Sequence, residues 1–160
     1  FGRLVLWAPG VDLPPGADAA AVLAAGNFHH LALANPRLAP YGRAAQQALE
    51  ALGLWEKLAD RLVTGQSLGQ AWQFVASGAA ELGLLAGSQA VALGQDGSAG
   101  GAAFLPIPAE HYDPIIQQTV LLARARDHPA ALEFLACVQG PTARAIIQAY
   151  GYGVPEGSGP

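Results

Sequence analysis

Apolar residues in this chain follow two different periods, and one switch between them falls at Tyr41. Upstream, Leu31-Ala32-Leu33-Ala34 is an unbroken apolar run of strand length, the pattern of a strand covered on both faces. The stretch from Asn35 to Pro40 then holds two prolines, and a proline keeps the residue before it out of the helical region. From Tyr41 onward the spacing is helical. Ala45, Leu49 and Leu52 fall on one side, with Arg43, Gln46, Gln47 and Glu50 on the other. Gly53 suits a left-handed helix stop. The predicted unit is a strand, a proline-rich turn, and a helix over 41–53 whose amino end lies near the strand's carboxyl end. In open α/β sheets ligands sit there, and the first N–H groups of such a helix have no internal partner and can hold an anion.

The same alternation recurs downstream. Arg3 to Ala8 is a short, nearly all-apolar strand closed by Pro9-Gly10, and Asp18 can cap a short helix reaching Ala25. Leu62-Val63-Thr64 reads as a strand, followed by a helix from Leu68 to Ser77 with Ser67 as its N-cap and Ala71, Trp72 and Val75 on its buried side. Glu81 to Ala86 is another buried strand, a third helix opens at Gly87-Ser88, and Ala103 to Ile107 is a further strand. Asp96 to Gly101 is a turn by composition, and Glu156 to Pro160 a loose tail. Ile115 to Ala123 is extended and rich in β-branched and aliphatic residues, and two helices, Pro129 to Val138 and Pro141 to Tyr150, begin with proline where its missing N–H costs nothing. Strands and helices alternating in this way predict an α/β layered domain, with the first strand and last two helices standing outside that unit.

Composition narrows the function. The 160 residues suffice for one ordinary domain. The chain is 52% hydrophobic but only 12% charged, against about 25% charged in a typical soluble domain. Much of the apolar content is alanine, and no window reaches the ~18 unbroken apolar residues of a membrane-spanning helix. A net charge of -4 leaves no basic stripe for nucleic acid. The lone cysteine, Cys137, reads as a small buried hydrophobe. With no initiator methionine and no signal peptide, the sequence reads as a mature form or a fragment.

Few residues offer catalytic chemistry. His29-His30 would point to opposite faces of a strand, and with His111 they lack Cys, Asp or Glu at ligand spacing, so no metal site is predicted. Gly65 to Gly69 and Gly97 to Gly101 lack the lysine and hydroxyl residue of a phosphate loop. Ser88 lacks the surroundings of a nucleophile elbow. No acid/base pair emerges, and the chain is not expected to be an enzyme.

Three segments in order, Asn35-Pro36 with Ala39-Pro40-Tyr41-Gly42-Arg43-Ala44-Ala45, then Leu82 to Ala90, then Tyr150-Gly151-Tyr152-Gly153-Val154-Pro155, resemble the periplasmic molybdate-binding proteins of bacterial ABC transporters. The similarity covers nearly the whole chain. It implies a type II periplasmic-binding-protein architecture: a lobe with a parallel-rich mixed sheet flanked by helices, plus crossing strands and C-terminal helices of the other lobe. On that pattern roughly the first third is absent. Residues 1–8 would be the first hinge strand and 9–117 the second, oxyanion-binding lobe. Residues 118–123 would be the return hinge strand and 124–160 helices and tail of the first lobe. Arg3–Ala8 and Gln118–Ala123 would then lie side by side. Carried over by position, the second lobe's oxyanion contacts fall on the backbone N–H groups of Tyr41 and Leu68, the same two helix starts that the periodicity picks out. A tyrosine hydroxyl that some members use aligns with Ala86, which cannot donate.

The resemblance implies molybdate or tungstate as ligand, no cofactor, an ABC transporter permease as partner, a periplasmic or exported location, and a monomer when complete. Two alternatives stay open: an oxyanion-sensing domain of a cytoplasmic regulator or cofactor-biosynthesis enzyme, and a small α/β enzyme acting on a phosphorylated substrate. The last requires a general base near Tyr41 or Leu68, and the sequence offers none.

Overall fold

A computed structural model describes residues 1–11, 16–96 and 103–154, with 93–96 and 103 described in backbone alone. The apolar runs become strands β1 (Leu4–Ala8), β2 (Leu31–Ala34), β3 (Leu62–Gly65), β4 (Leu82–Ala86) and β5 (Ala103–Pro106). The helices are α1 (Ala19–Ala25), α2 (Pro40–Ala51), α3 (Trp55–Leu58), α4 (Leu68–Ala76), α5 (Gly87–Asp96), α6 (Pro129–Gln139) and α7 (Pro141–Ala149). The turn predicted after Asp96 and the tail from Glu156 lie outside the described residues.

The strands form one mixed sheet in the order β3-β2-β4-β1-β5. β2 runs parallel to both β3 and β4, and β1 runs antiparallel to both β4 and β5. The sheet is therefore parallel in one half and antiparallel in the other. β1, β2 and β4 are fully buried apolar runs because they are covered on both faces, whereas the edge strand β3 is only partly buried. Side chains alternate across the sheet. Leu4, Leu6, Leu31, Leu33, Leu82 and Leu84 face the buried side of α2, with Ala44, Ala45, Ala48 and Leu49. Trp7, Ala32 and Leu85 face α4, with Ala71 and Val75. That second face is built from small residues: a Cβ on Gly83 would sit 2.6 Å from Val75 Cγ2. Trp7 is stacked between Trp72 and Phe104, at 6.0 and 5.8 Å between ring centroids.

Helix ends follow the local chemistry. The Asp18 carboxylate accepts from Ala20 N–H and Ser67 Oγ from Gln70 N–H, each closing a first turn. α2 stops where Gly53 turns left-handed at φ 66, and Leu54 N–H reaches back to Leu49 O.

Two expectations are corrected. Arg3–Ala8 does not lie beside Gln118–Ala123. β1 is hydrogen-bonded along both edges, to β4 and to β5, so no ladder position remains for a further strand. The approach falls just upstream instead, as an antiparallel bridge in which Gly2 N–H donates to Ile115 O at 2.7 Å. Residues 116–122 carry no strand and are largely exposed. Cys137 is exposed rather than buried, because α6 packs chiefly on α7 and neither helix has a buried residue.

Candidate functional site

β2, β3 and β4 end at the same edge of the sheet, and a helix begins within a few residues of each. At the edge Ala34 and Gly65 are register partners, and Asn35 N–H extends the ladder to Gly65 O at 2.7 Å. The chain leaves β2 and β3 toward opposite faces: α2 packs on one and α4 on the other. The two helices thus lie on opposite sides of the sheet, while their amino ends open over one edge, between adjacent strands. Such a switch point is where open α/β sheets form a ligand crevice.

The turn into α2 is set by Asn35. Its side chain accepts from Arg37 N–H, and its carbonyl accepts from Leu38 and Ala39 N–H. Pro40 takes the first helical position, where its fixed φ suits a helix start and it has no N–H to leave unpaired. Tyr41 and Gly42 follow, and Arg43 is the first to donate within the helix, to Ala39 O at 3.1 Å. No partner for the N–H groups of Tyr41 and Gly42 is found among the described residues. A Cβ on Gly42 would lie 2.7 Å from the Asn35 carbonyl carbon and oxygen. Only glycine lets the helix start come this close to the strand end. α4 repeats the device. A Cβ on Gly65 would lie 2.8 Å from Ala71 N, and the Leu68 and Gly69 N–H groups precede the first bonded amides, those of Gln70, which donates to Ser67 Oγ, and Ala71, which donates to Ser67 O. Ser67 Oγ is accordingly a cap.

Tyr41 and Leu68 thus each occupy the first turn of a helix at this edge, their starts following register-paired strand ends. The dipole of each helix places partial positive charge there. Arg37 and Arg43 add cationic charge beside the start of α2, lining a groove of about 260 Å³ with Gln47, Asp113 and Ile115. The Asp113 carboxylate is engaged by Gln47 Nε2 at 2.6 Å. The site offers donors without a buried counter-charge, which suits a ligand made only of acceptors.

Periodicity does not reveal the surroundings of the Tyr41 side chain. It is 8% exposed, and its hydroxyl is buried with no hydrogen-bond partner among the described residues. Burial, with the Tyr152 and Tyr112 phenols close by, raises its pKa well above that of an ordinary tyrosine, so the hydroxyl stays protonated. Tyr152 donates to Ser88 Oγ at 3.1 Å, and Tyr112 accepts from Leu4 N–H at 3.1 Å. The signal available in sequence was the tyrosine and glycine run at 150–153. His29, His30 and Glu81 lie at the opposite edge, where the Glu81 carboxylate accepts from His30 N–H at 2.8 Å.

Sheet, switch point and paired helix starts define a class: an α/β lobe whose helix starts leave main-chain donors unpaired at one end of its parallel strands. The family model of bacterial extracellular solute-binding proteins matches residues 1–153, and the chain belongs to that family. It is 46% identical over 156 residues to the molybdate-binding protein ModA of Azotobacter vinelandii, and 40% identical over 151 residues to that of Rhodobacter capsulatus. These alignments cover 96% and 94% of the chain but 59% and 56% of the relatives, so the chain spans little more than half their length. A solved periplasmic molybdate-binding protein from A. vinelandii superimposes with a TM-score of 0.80 at 38% identity, covering 97% of this chain and 66% of that one.

Proposed function

We propose that this chain carries the oxyanion-binding lobe of a periplasmic solute-binding protein that captures molybdate or tungstate and hands it to an ABC transporter permease. The lobe comprises 9–117 together with β1, which lies inside its sheet; residues 1–3 and 118–123 connect it to a second lobe, and the helices of 124–160 belong to the second lobe. Binding involves no chemical step. The observation that carries the reading is the pair of helix starts at Tyr41 and Leu68, which present uncharged N–H donors at one sheet edge. The names of the relatives supply the ligand class. A tetrahedral oxyanion accepts hydrogen bonds on every oxygen, so a shell of N–H and O–H donors matches it without a neutralising cation.

Leu68 is the sharper test position because it is the first residue of α4, where proline is tolerated. Leu68→Pro deletes one donor and leaves the helix. The loss of one charge-assisted bond should cost about 1.5–3 kcal/mol, roughly ten- to a hundredfold in affinity. Leu68→Ala keeps the N–H and should do far less. Calorimetry of the full-length gene product with molybdate, tungstate and sulfate measures both. Equal losses from the two substitutions, or no binding of any of the three anions by the wild type, would count against the reading.

A further inference from the structure

Three segments of chain meet around one side chain. Gly2 precedes β1 and bridges to Ile115, while Gly153 N–H donates to Phe1 O at 2.8 Å. Chain passes through this junction to and from α6 and α7, which pack chiefly on each other. Tyr41 reaches into the junction from α2. A Cβ on Gly2 would overlap the Tyr41 hydroxyl oxygen, and would lie 2.9 Å from Tyr41 Cζ and 3.2 Å from Ile115 Cγ2. Gly2 has no positive φ, so glycine is needed here for space and not for backbone freedom. The end of the ring is therefore gripped between the Gly2 backbone and its neighbours, with a buried hydroxyl that has no hydrogen-bond partner among the described residues. The other end of the same residue is the first free N–H of α2.

We propose that the Tyr41 side chain is a positioning element for the oxyanion site: wedged against Gly2 at the crossing of the chain segments, it sets where the first turn of α2 presents its N–H donors. This rests on the oxyanion reading above. Tyr41 is one residue with its main chain in the site and its side chain in the crossing, so a shift of the crossing segments is carried to the donor without any intermediate contact. α4 has no counterpart: Leu68 packs within the lobe, against both core clusters.

The test separates the two first turns by amide hydrogen exchange in the ligand-free, full-length gene product. Arg43 N–H and Ala71 N–H are equivalent reporters, each closing the first bonded turn of its helix at 3.1 Å. Gly2→Ala should push the ring, speed exchange at Arg43 by about tenfold and leave Ala71 unchanged. Adding Tyr41→Phe removes the colliding oxygen and should return Arg43 toward its wild-type rate. Molybdate titration should follow the same order, with affinity about tenfold weaker in Gly2→Ala and partly regained in the double variant. Equal acceleration at Arg43 and Ala71, or a double variant no better than the single one, overturns the proposal. Should Gly2→Ala fail to fold, Tyr41→Leu replaces it. That change keeps the N–H but loses the reach of the ring, and should give the same selective acceleration at Arg43; an unchanged Arg43 rate overturns the proposal. Wild-type protein that binds no molybdate refutes the oxyanion reading alone, because the exchange experiment contains no ligand.

Discussion

Gly42 shows how much a single position can decide at this site. The atoms a Cβ would strike are the backbone of Ala34 and Asn35, at the end of β2, and backbone cannot swing aside as a flexible side chain does. Gly42→Ala should therefore push the first turn of α2 away from the strand end, costing about 1–3 kcal/mol of stability and displacing the Tyr41 and Gly42 donors together. Denaturant unfolding should show a lower midpoint, and calorimetry a weaker oxyanion affinity. A variant that is destabilised but binds as tightly as wild type would detach the donor geometry from this close approach. At Gly2 the obstacle is the tip of the wedged Tyr41 ring, so the same substitution there reaches the site through that side chain and not through the strand end.

Among elements, the parallel half of the sheet is fastened at both edges by different means. At the carboxyl edge Asn35 joins β2 to β3 through its N–H, and at the amino edge Glu81 joins β4 to β2 by accepting from His30 N–H. That hydrogen bond is the main reason the Glu81 carboxyl titrates below its ordinary value, with the His29 charge a smaller contribution. The sign follows from the direction. A carboxyl with a lowered pKa in the folded state contributes stability above its unfolded pKa and loses it as pH falls through the folded value. Thermal unfolding measured between about pH 6 and 3 should thus show wild type losing an increment that Glu81→Gln does not lose. The increment should be small, because the carboxylate is close to solvent and screened. Parallel pH profiles for the two proteins would remove this contribution.

For the whole molecule, the uneven burial is the main feature. The sheet with α1, α2 and α4 holds most of the buried apolar residues, whereas α6 and α7 have none, and Leu132, Phe134 and Ile146 are exposed. Local opening is least costly where few apolar contacts must be broken. In the 160-residue chain, amides of α6 and α7 should exchange far faster than those of Leu6 and Leu84 in the central strands. Uniform protection across the chain would mean the hairpin is held as firmly as the sheet. In the full-length gene product a second lobe packed on these helices should slow their exchange selectively, which is a direct check on the division proposed at residues 118–124.

The sequence by itself determined which segments are strand and which are helix from β2 to β4, and where α2 and α4 begin. Those features are local: the shift in hydrophobic period at Tyr41, proline ahead of it, glycine at 53 and the serine cap at 67 act within one or two turns. The same local signals placed Tyr41 and Leu68 at helix starts. They also gave a buried Cys137, and the resemblance gave a strand over Gln118–Ala123 beside Arg3–Ala8; both of those failed for one reason. Extended conformation and apolar character express a tendency to be covered, while a free ladder edge or a covering surface depends on what the remainder of the chain brings to that place. With both edges of β1 taken by β4 and β5, β1 had no edge left for residues 118–123, and α6 packs chiefly on α7. Tertiary structure alone brought the ends of β2 and β3 into register, sent their helices to opposite faces, and set the tyrosine of α2 against a glycine far away in the chain. Such contacts depend on distances between segments that no local pattern encodes.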